Sequence, residues 1–345
     1  MIGPVEWEMQ LGDYVTALTI SPHGDLLAAG SLGGDAAIVT VDGLVVCKLA
    51  EHPMGVLCGA WSPDGSRLAI GGQDGVIRVY DRTGHELAAH LGTAWIPHVA
   101  WSPDGALLAV ADGRHLVLCD RDGARLQRYP AVSSTITAVA WATNGKRIGV
   151  TSYGGITWYD PERLHAGTPS RTHQFKGSPL ALVLAPNGKW ACAGFQDSSI
   201  HLWRLWSGDD LSMSGYPAKI QHLAFRDDSH WMASACLDEL TVWDFSGKGP
   251  KGTRPATGNA HERHISCLAW EPAGTRLCSG GADGRLALWP SPRTVKRPLT
   301  PDDVHNGDVA VATVVWHPAG GSLLVGRADG TLERRPVHET SLEQR

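Results

Sequence analysis

A four-residue turn recurs eight times along the chain and sets the terms for everything the chain can fold into. It reads SPHG at 21–24, SPDG at 62–65, SPDG at 102–105, ATNG at 142–145, APNG at 185–188, RDDS at 226–229, EPAG at 271–274 and HPAG at 317–320. Counted between second residues, the spacings are 41, 40, 40, 43, 41, 45 and 46. A period of about 42 residues is that of a propeller blade. Two residues before each counted position stands a bulky apolar side chain: Ile20, Trp61, Trp101, Trp141, Leu184, Phe225, Trp270 and Trp316. Two residues after it stands glycine in seven copies and Ser229 in the eighth. Glycine suits the positive φ that a tight hairpin demands.

Each marker is followed by an apolar run such as RLAIGG, LLAVAD or RLCSGG, then by a second turn often written Asp-Gly. Another run follows, such as VIRVYD, SIHLWR, LTVWDF or RLALWP. Short apolar runs with turn signals every 8–12 residues read as antiparallel sheet. The 41 glycines, 21 prolines and 14 tryptophans fit many turns around a filled interior, and only 19% of residues are charged. That composition excludes a coiled coil or a disordered chain.

As a set these repeats resemble the WD-repeat β-propeller family over essentially the whole chain. The naming dipeptide survives as Trp243-Asp244, with degenerate forms at Tyr80-Asp81, Cys119-Asp120 and Tyr159-Asp160. The resemblance implies a buried His–Ser–Asp–Trp network in each blade. It is complete once, as His261, Ser279, Asp283 and Trp289, and partial elsewhere, as in Ser234, Asp238 and Trp243. Such a network is structural rather than catalytic, because one unpaired buried member costs about 1–3 kcal/mol.

The expected fold is therefore all-β: an eight-bladed propeller of four-stranded antiparallel blades, with seven blades plus a degenerate copy as the alternative. Eight repeats consume nearly the whole chain, so residues 1–338 are expected to form one propeller domain, with 339–345 as a C-terminal tail. The segment 5–11 alternates strictly, with Val5, Trp7, Met9 and Leu11 apolar and Glu6, Glu8 and Gln10 polar. That is the pattern of a half-buried strand. The eighth copy runs out soon after its third strand at 331–337, so the N-terminal strand is expected to supply its fourth and close the ring. Closure removes exposed sheet edges.

By family resemblance, the loops leading into the first strand and those between the second and third strands share one face, where partners dock. In this sequence they contain Tyr14, Met54, Trp95, His98, Lys219, Arg263 and His264 in the first set, and Gln73, Arg114, Tyr153 and Gln196 in the second. Trp, Tyr, Met and Arg are enriched at interface cores, which singles out Trp95, Met54, Tyr153 and Arg263. Two long connections, 244–261 and 291–308, carry Lys248, Lys251 and Arg254, and Arg293, Lys296 and Arg297. These could form a basic rim patch or simply be solvated loops.

Chemistry is sparsely signalled. Net charge is −5, with no global basic footprint for nucleic acid. No apolar run reaches membrane-spanning length, and residues 1–20 carry Glu6, Glu8 and Asp13 without Lys or Arg. A cytoplasmic protein is expected. Seven dispersed cysteines without C-x-x-C suggest reduced thiols rather than disulfides or zinc. No haem-attachment motif, G-x-S-x-G elbow or H-E-x-x-H appears, and SGKGPKGT departs from phosphate-loop spacing. No cofactor and no metal are expected: HERH at 261–264 sets two histidines three apart, too few for a ligand set. The stretches LSMSGYPAKI and VWDFSGKGPKGT also resemble a bacterial group of WD-repeat proteins sometimes encoded beside a CobW-type GTPase, which makes that GTPase a candidate partner. The expected function is a monomeric, non-catalytic scaffold that docks a protein partner on one face. The alternatives are a small-ligand or glycan site in the central funnel, or, further off, a propeller enzyme or metal-handling protein.

Overall fold

In a computed structural model describing residues 1–163, 168–205, 207–292 and 298–338, the chain forms eight four-stranded antiparallel sheets, with no helix among the described residues. Blades 1 to 7 span 15–48, 56–91, 99–128, 138–174, 179–213, 222–259 and 265–305. Within each, strands pair in chain order from the inside outward. The first strand of each blade contacts the first strand of the next, and that of blade 8 contacts that of blade 1, so the ring closes around a central axis. Residues 339–345 lie outside the described residues.

Blade 8 takes three strands from 311–336 and its outermost one from the N-terminus. Trp7–Gln10 runs antiparallel to Thr331–Pro336, in the register Trp7 with Arg334, Glu8 with Glu333, Met9 with Leu332 and Gln10 with Thr331. The alternation of 5–11 survives: Trp7 and Met9 are half-buried, Glu6, Glu8 and Gln10 exposed, and Leu11 is buried beside Leu332 and Leu324.

The marker turns adopt the left-handed backbone at Gly24, Gly65, Gly105, Gly145, Gly188 and Gly320. Ser229 does so as well, at φ 63°, and its hydroxyl repays some of that cost by accepting a hydrogen bond from Asn187 N in the neighbouring blade. The seventh copy departs from the sequence expectation. Ala273, not Gly274, has positive φ there. The reason is Glu271, whose side chain folds over the space that a Gly274 Cβ would fill and pairs with Arg276.

In four copies the bulky residue before the marker bonds between blades. The indole N–H groups of Trp101, Trp141, Trp270 and Trp316 donate to the carbonyls of Ala60, Ala100, Ala224 and Ala269 on the preceding blade's first strand, at 2.9–3.1 Å. Trp61, equally buried, finds no acceptor for its indole among the described residues. Trp141→Phe should therefore cost about 0.5–1.5 kcal/mol more than Trp61→Phe, because both lose ring volume but only the first loses a hydrogen bond. Equal losses in denaturant melts of the two variants would discredit the bond as a stabilising tie.

The two long connections are shorter as loops than the sequence suggests. Each contains the outer strand of its blade, Ala256–Asn259 in one and Asp303–His305 in the other.

Candidate functional site

One face of the ring is knitted together by backbone hydrogen bonds between the loops leading into the first strands and those joining the second and third. Leu32 N donates to Tyr14 O, Gln73 N to Gly55 O, Ala111 N to His98 O, Phe175 N to Gly154 O, Gln196 N to Ser178 O, Ile265 N to Leu237 O and Ala282 N to His264 O. The two sets of loops therefore share one surface. Their geometry is held by the main chain, which leaves the side chains free to vary. Preformed loops spend little ordering entropy on docking.

On this surface Met54 and Trp95 are both 58% exposed, Tyr153 49% and Tyr14 36%. Lys219, Arg263, His264, Arg114 and Gln196 are exposed as well, while Gln73 is half-buried. His98 is half-buried, and burial holds its imidazole below the ordinary value. Sequence reasoning missed two residues of the same kind. Leu32 and Leu237, each in a loop between second and third strands, are 43% and 50% exposed. Leu237 also has φ 54°, a left-handed backbone that costs a bulky residue energy and that blade 3 assigns to Gly113 in its matching turn. A leucine where the repeat calls for turn residues was the available signal.

Beside Trp95 the channel mouth opens into a cavity of about 570 Å³, walled by Trp95, Pro97, His98, Ile136, Leu180 and Gln221. These come from the first-strand ends of blades 3 to 6. His222, next to Gln221, is held down to about 4 by burial, with His264 adding like charge, so it is neutral at physiological pH. The recess is apolar with a few uncharged polar groups.

Under the face lie the blade networks. In blade 7 Trp289 Nε1 donates to Ser279 Oγ at 2.8 Å, and Ser279 Oγ lies 2.8 Å from His261 Nε2. His261 Nδ1 is 3.2 Å from an Asp283 carboxylate oxygen. An indole can only donate and an ionised carboxylate only accept, so the serine hydroxyl must donate to Nε2 and Nδ1 must carry the proton. Burial, opposed by Asp283, keeps His261 below its ordinary value. Ser, His and Asp here have the composition of a hydrolytic triad, but Ser279 is fully buried and its oxygen is already bonded to the indole.

The other networks are partial or substituted. In blade 6 Trp243 Nε1 donates to Tyr216 OH at 2.8 Å, and that hydroxyl also reaches Ser234 and Thr241. Asp238, expected in the network, instead accepts from Asn259 Nδ2. In blade 2 His52 meets Asp74 at 3.0 Å. In blade 8 Arg327, Glu333 and Arg335 form a buried ionic triad.

Of the proposed rim patch, Lys248, Lys251 and Arg254 are exposed on the loop before Ala256, on the opposite side of the sheet ends. Arg293, Lys296 and Arg297 lie outside the described residues. Among the described residues no group of three His, Cys, Asp or Glu is placed to hold a metal, and no helix is long and apolar enough to cross a membrane. The seven cysteines are unbridged, and burial pushes Cys58, Cys119 and Cys267 up to about 12, far from reactive thiolates.

The model of the WD domain, G-beta repeat, matches residues 9–38, 43–81, 82–121, 168–204 and 252–290, just over half of the chain. The mouse "Telomerase protein component 1" is 24% identical over 299 residues, covering 79% of this chain and 11% of that protein. The Schizosaccharomyces pombe "Periodic tryptophan protein 2 homolog" is 30% identical over 112 residues, covering 31% of this chain and 12% of that one. The Drosophila melanogaster "Small ribosomal subunit protein RACK1" is 26% identical over 123 residues, 34% of this chain and 38% of that one. The chain thus spans little more than a tenth of the length of the first two. Among solved structures, the C-terminal WD40 domain of Sif2 superposes with a TM-score of 0.78 at 18% identity, covering 98% of this chain and all of that one. The computationally designed Ika8 protein superposes at 0.77 and 17%, covering 95% and 98%. At such identities these structures speak for the fold alone.

Proposed function

This chain belongs to the WD domain, G-beta repeat family, and we propose that it works as a non-catalytic scaffold that docks a protein partner on the loop face described above. The carrying observation is the set of exposed bulky side chains, Tyr14, Leu32, Met54, Trp95, Tyr153 and Leu237, presented on one face by loops tied through their backbones. Exposed aromatic and apolar groups rimmed by charge are what an interface core needs. The proposed docking residues are Tyr14, Met54, Gln73, Trp95, His98, Tyr153, Lys219, Arg263 and His264. The propeller is proposed to act as a cytoplasmic monomer of one domain, with the CobW-type GTPase as one candidate partner.

The test is affinity capture of the tagged protein from its native lysate, with Met54, Trp95 and Arg263 changed together to alanine as the comparison. Loss of the captured protein from the variant is expected, with the melting temperature within about 2 °C of the parent, since exposed residues rarely contribute much to stability. Capture that survives the three substitutions would refute this face as the docking site. Unfolding of the variant would instead make these residues core.

A second reading, a small ligand at the channel mouth, is favoured by the apolar cavity of about 570 Å³ that Trp95 and His98 help to line. Its volume falls in the range of ligand sites. It would be supported by a Trp95 fluorescence change on titration with small apolar molecules.

A further inference from the structure

We propose that the arc of this face carried by blades 8, 1 and 2 docks a basic segment of the partner, and that one arginine or lysine of that segment enters a groove between the closing N-terminal strand and blade 1. The proposal rests on the docking-scaffold reading above and names the chemistry of what docks.

Three exposed apolar side chains form the centre of the arc. Leu32 N donates to Tyr14 O at 2.8 Å. Gly55, next to Met54, lies so close to Leu32 that an added Cβ would stand 2.5 Å from the Leu32 carbonyl oxygen. Tyr14, Leu32 and Met54 thus follow one another across adjoining loops. The charges around them have one sign. The loops 306–310, 328–330, 11–14, 32–35, 49–55 and 73–75 expose Asp308, Asp329, Asp13, Asp35 and Glu51, and contain no lysine or arginine. Asp74, in the same set, is occupied by His52. Across the ring the corresponding loops mix signs, exposing Arg114, Lys176, Lys219 and Arg263 beside Asp197 and Glu262. The acidic arc would repel an anionic membrane or a nucleic acid, and it complements a basic chain.

The groove gives that complementarity a shape. It holds about 290 Å³ between Met9 and Leu11 of the closing strand and Val45 and Leu49 of blade 1, with Asp35 and Glu51 on its lining; Lys48 lines it as well. The Asp35 carboxylate is fixed by the Gly12 N–H at 3.1 Å, which leaves its other oxygen to accept a further donor. Apolar walls below a pair of carboxylates suit the side chains of lysine and arginine, whose aliphatic stems bury while their cationic heads seek charged acceptors. Beyond Val45 the outer strand continues apolar, with Leu44 and Val46 exposed, so a segment leaving the groove meets a further apolar surface.

The experiment uses the full chain and two fluorescein-labelled synthetic twelve-residue peptides, one alternating leucine with arginine and the other leucine with glutamate. The Leu–Arg peptide is expected to raise anisotropy on binding, and to bind about tenfold or more weakly when salt rises from roughly 50 to roughly 300 mM. Asp35→Asn with Glu51→Gln should weaken it about tenfold or more, a change of about 1.4 kcal/mol. Lys176→Ala, an exposed cation across the ring, should leave it unchanged. Circular dichroism melts confirm that each variant is folded. Equal affinity for the Leu–Glu peptide, or no loss in the Asp35/Glu51 variant, would overturn the assignment. Were the Leu–Arg peptide not to bind while the Met54/Trp95/Arg263 variant still lost its captured partner, the basic-segment assignment would fall and the scaffold reading would stand. Capture that persisted in that variant would remove the scaffold reading, whatever the peptides did.

Discussion

Deleting residues 1–11 is expected to lower the melting temperature by roughly 5–10 °C and to make the protein self-associate. The segment is tied to blade 8 along its whole length. Besides the strand register, Gly3 N donates to Pro336 O, Glu6 N to Arg334 O and Leu11 N to Gly330 O. Its inward side chains are shared with two blades. Trp7 Nε1 donates to Val41 O of blade 1, and Trp7, Met9 and Leu11 pack with Leu324 and Leu332 of blade 8 and with Val39 of blade 1. Burying three such side chains contributes roughly 5 kcal/mol in area terms. For a chain of 345 residues, that corresponds to several degrees. Removal also leaves the strand Thr331–Pro336 as an open edge, ready to pair with another molecule. Calorimetry and gel filtration read the two effects separately. A truncated protein with the parent's melting temperature and elution volume would show that the ring does not depend on this strand.

Why so much of the ring could be read beforehand follows from where the repeat puts its constraints. The marker turns need a left-handed residue and the position before them needs a bulky side chain packed against the preceding blade, so both leave a periodic trace in the sequence. The alternation of 5–11 was equally readable, because a half-buried strand must obey the pleat. Three things were not. Ala273 took the strained backbone in place of Gly274 where a local side-chain pair, Glu271–Arg276, filled the glycine's free space. Tyr216 replaced the network histidine, and no one-letter motif announces that a phenol from a loop 27 residues before Trp243 will meet its indole. Leu32 and Leu237 escaped notice because exposure is decided by neighbours from other blades, which a single repeat does not contain. The candidate face was legible as a set of loops, but which side chains stand clear of it was decided in three dimensions.

Glu333→Gln is expected to be among the most destabilising single changes available, costing about 3–5 kcal/mol at neutral pH. Glu333 is 3% exposed and lies between two arginines that are 5% and 7% exposed. Arg327 Nη2 and Nε approach one carboxylate oxygen at 2.7 and 3.0 Å, and Arg335 Nε approaches the same oxygen at 2.9 Å. Arg327 also donates to Val309 O at 2.7 Å, which ties the triad to the loop leading into blade 8. The carboxylate is the anion that offsets both cations. A neutral amide keeps the volume and leaves two buried guanidinium groups facing each other. Arg335→Met should cost less, since the Arg327–Glu333 pair remains neutral as a unit. Burial alone would raise the Glu333 carboxyl, but the Arg335 hydrogen bond and the Arg327 charge overcome it and hold the group below its ordinary value. Because the unfolded chain takes up this proton first, the triad's contribution is complete above the unfolded carboxyl value of about 4.3 and is lost as pH falls through the lower folded one. The gap in melting temperature between the parent and Glu333→Gln should therefore be widest near neutrality and narrow below about pH 4. A gap that stayed constant well below that pH would mean that the glutamate acts by packing, and no gap at pH 7 would mean that the triad is held in place by the rest of the blade and stabilises nothing.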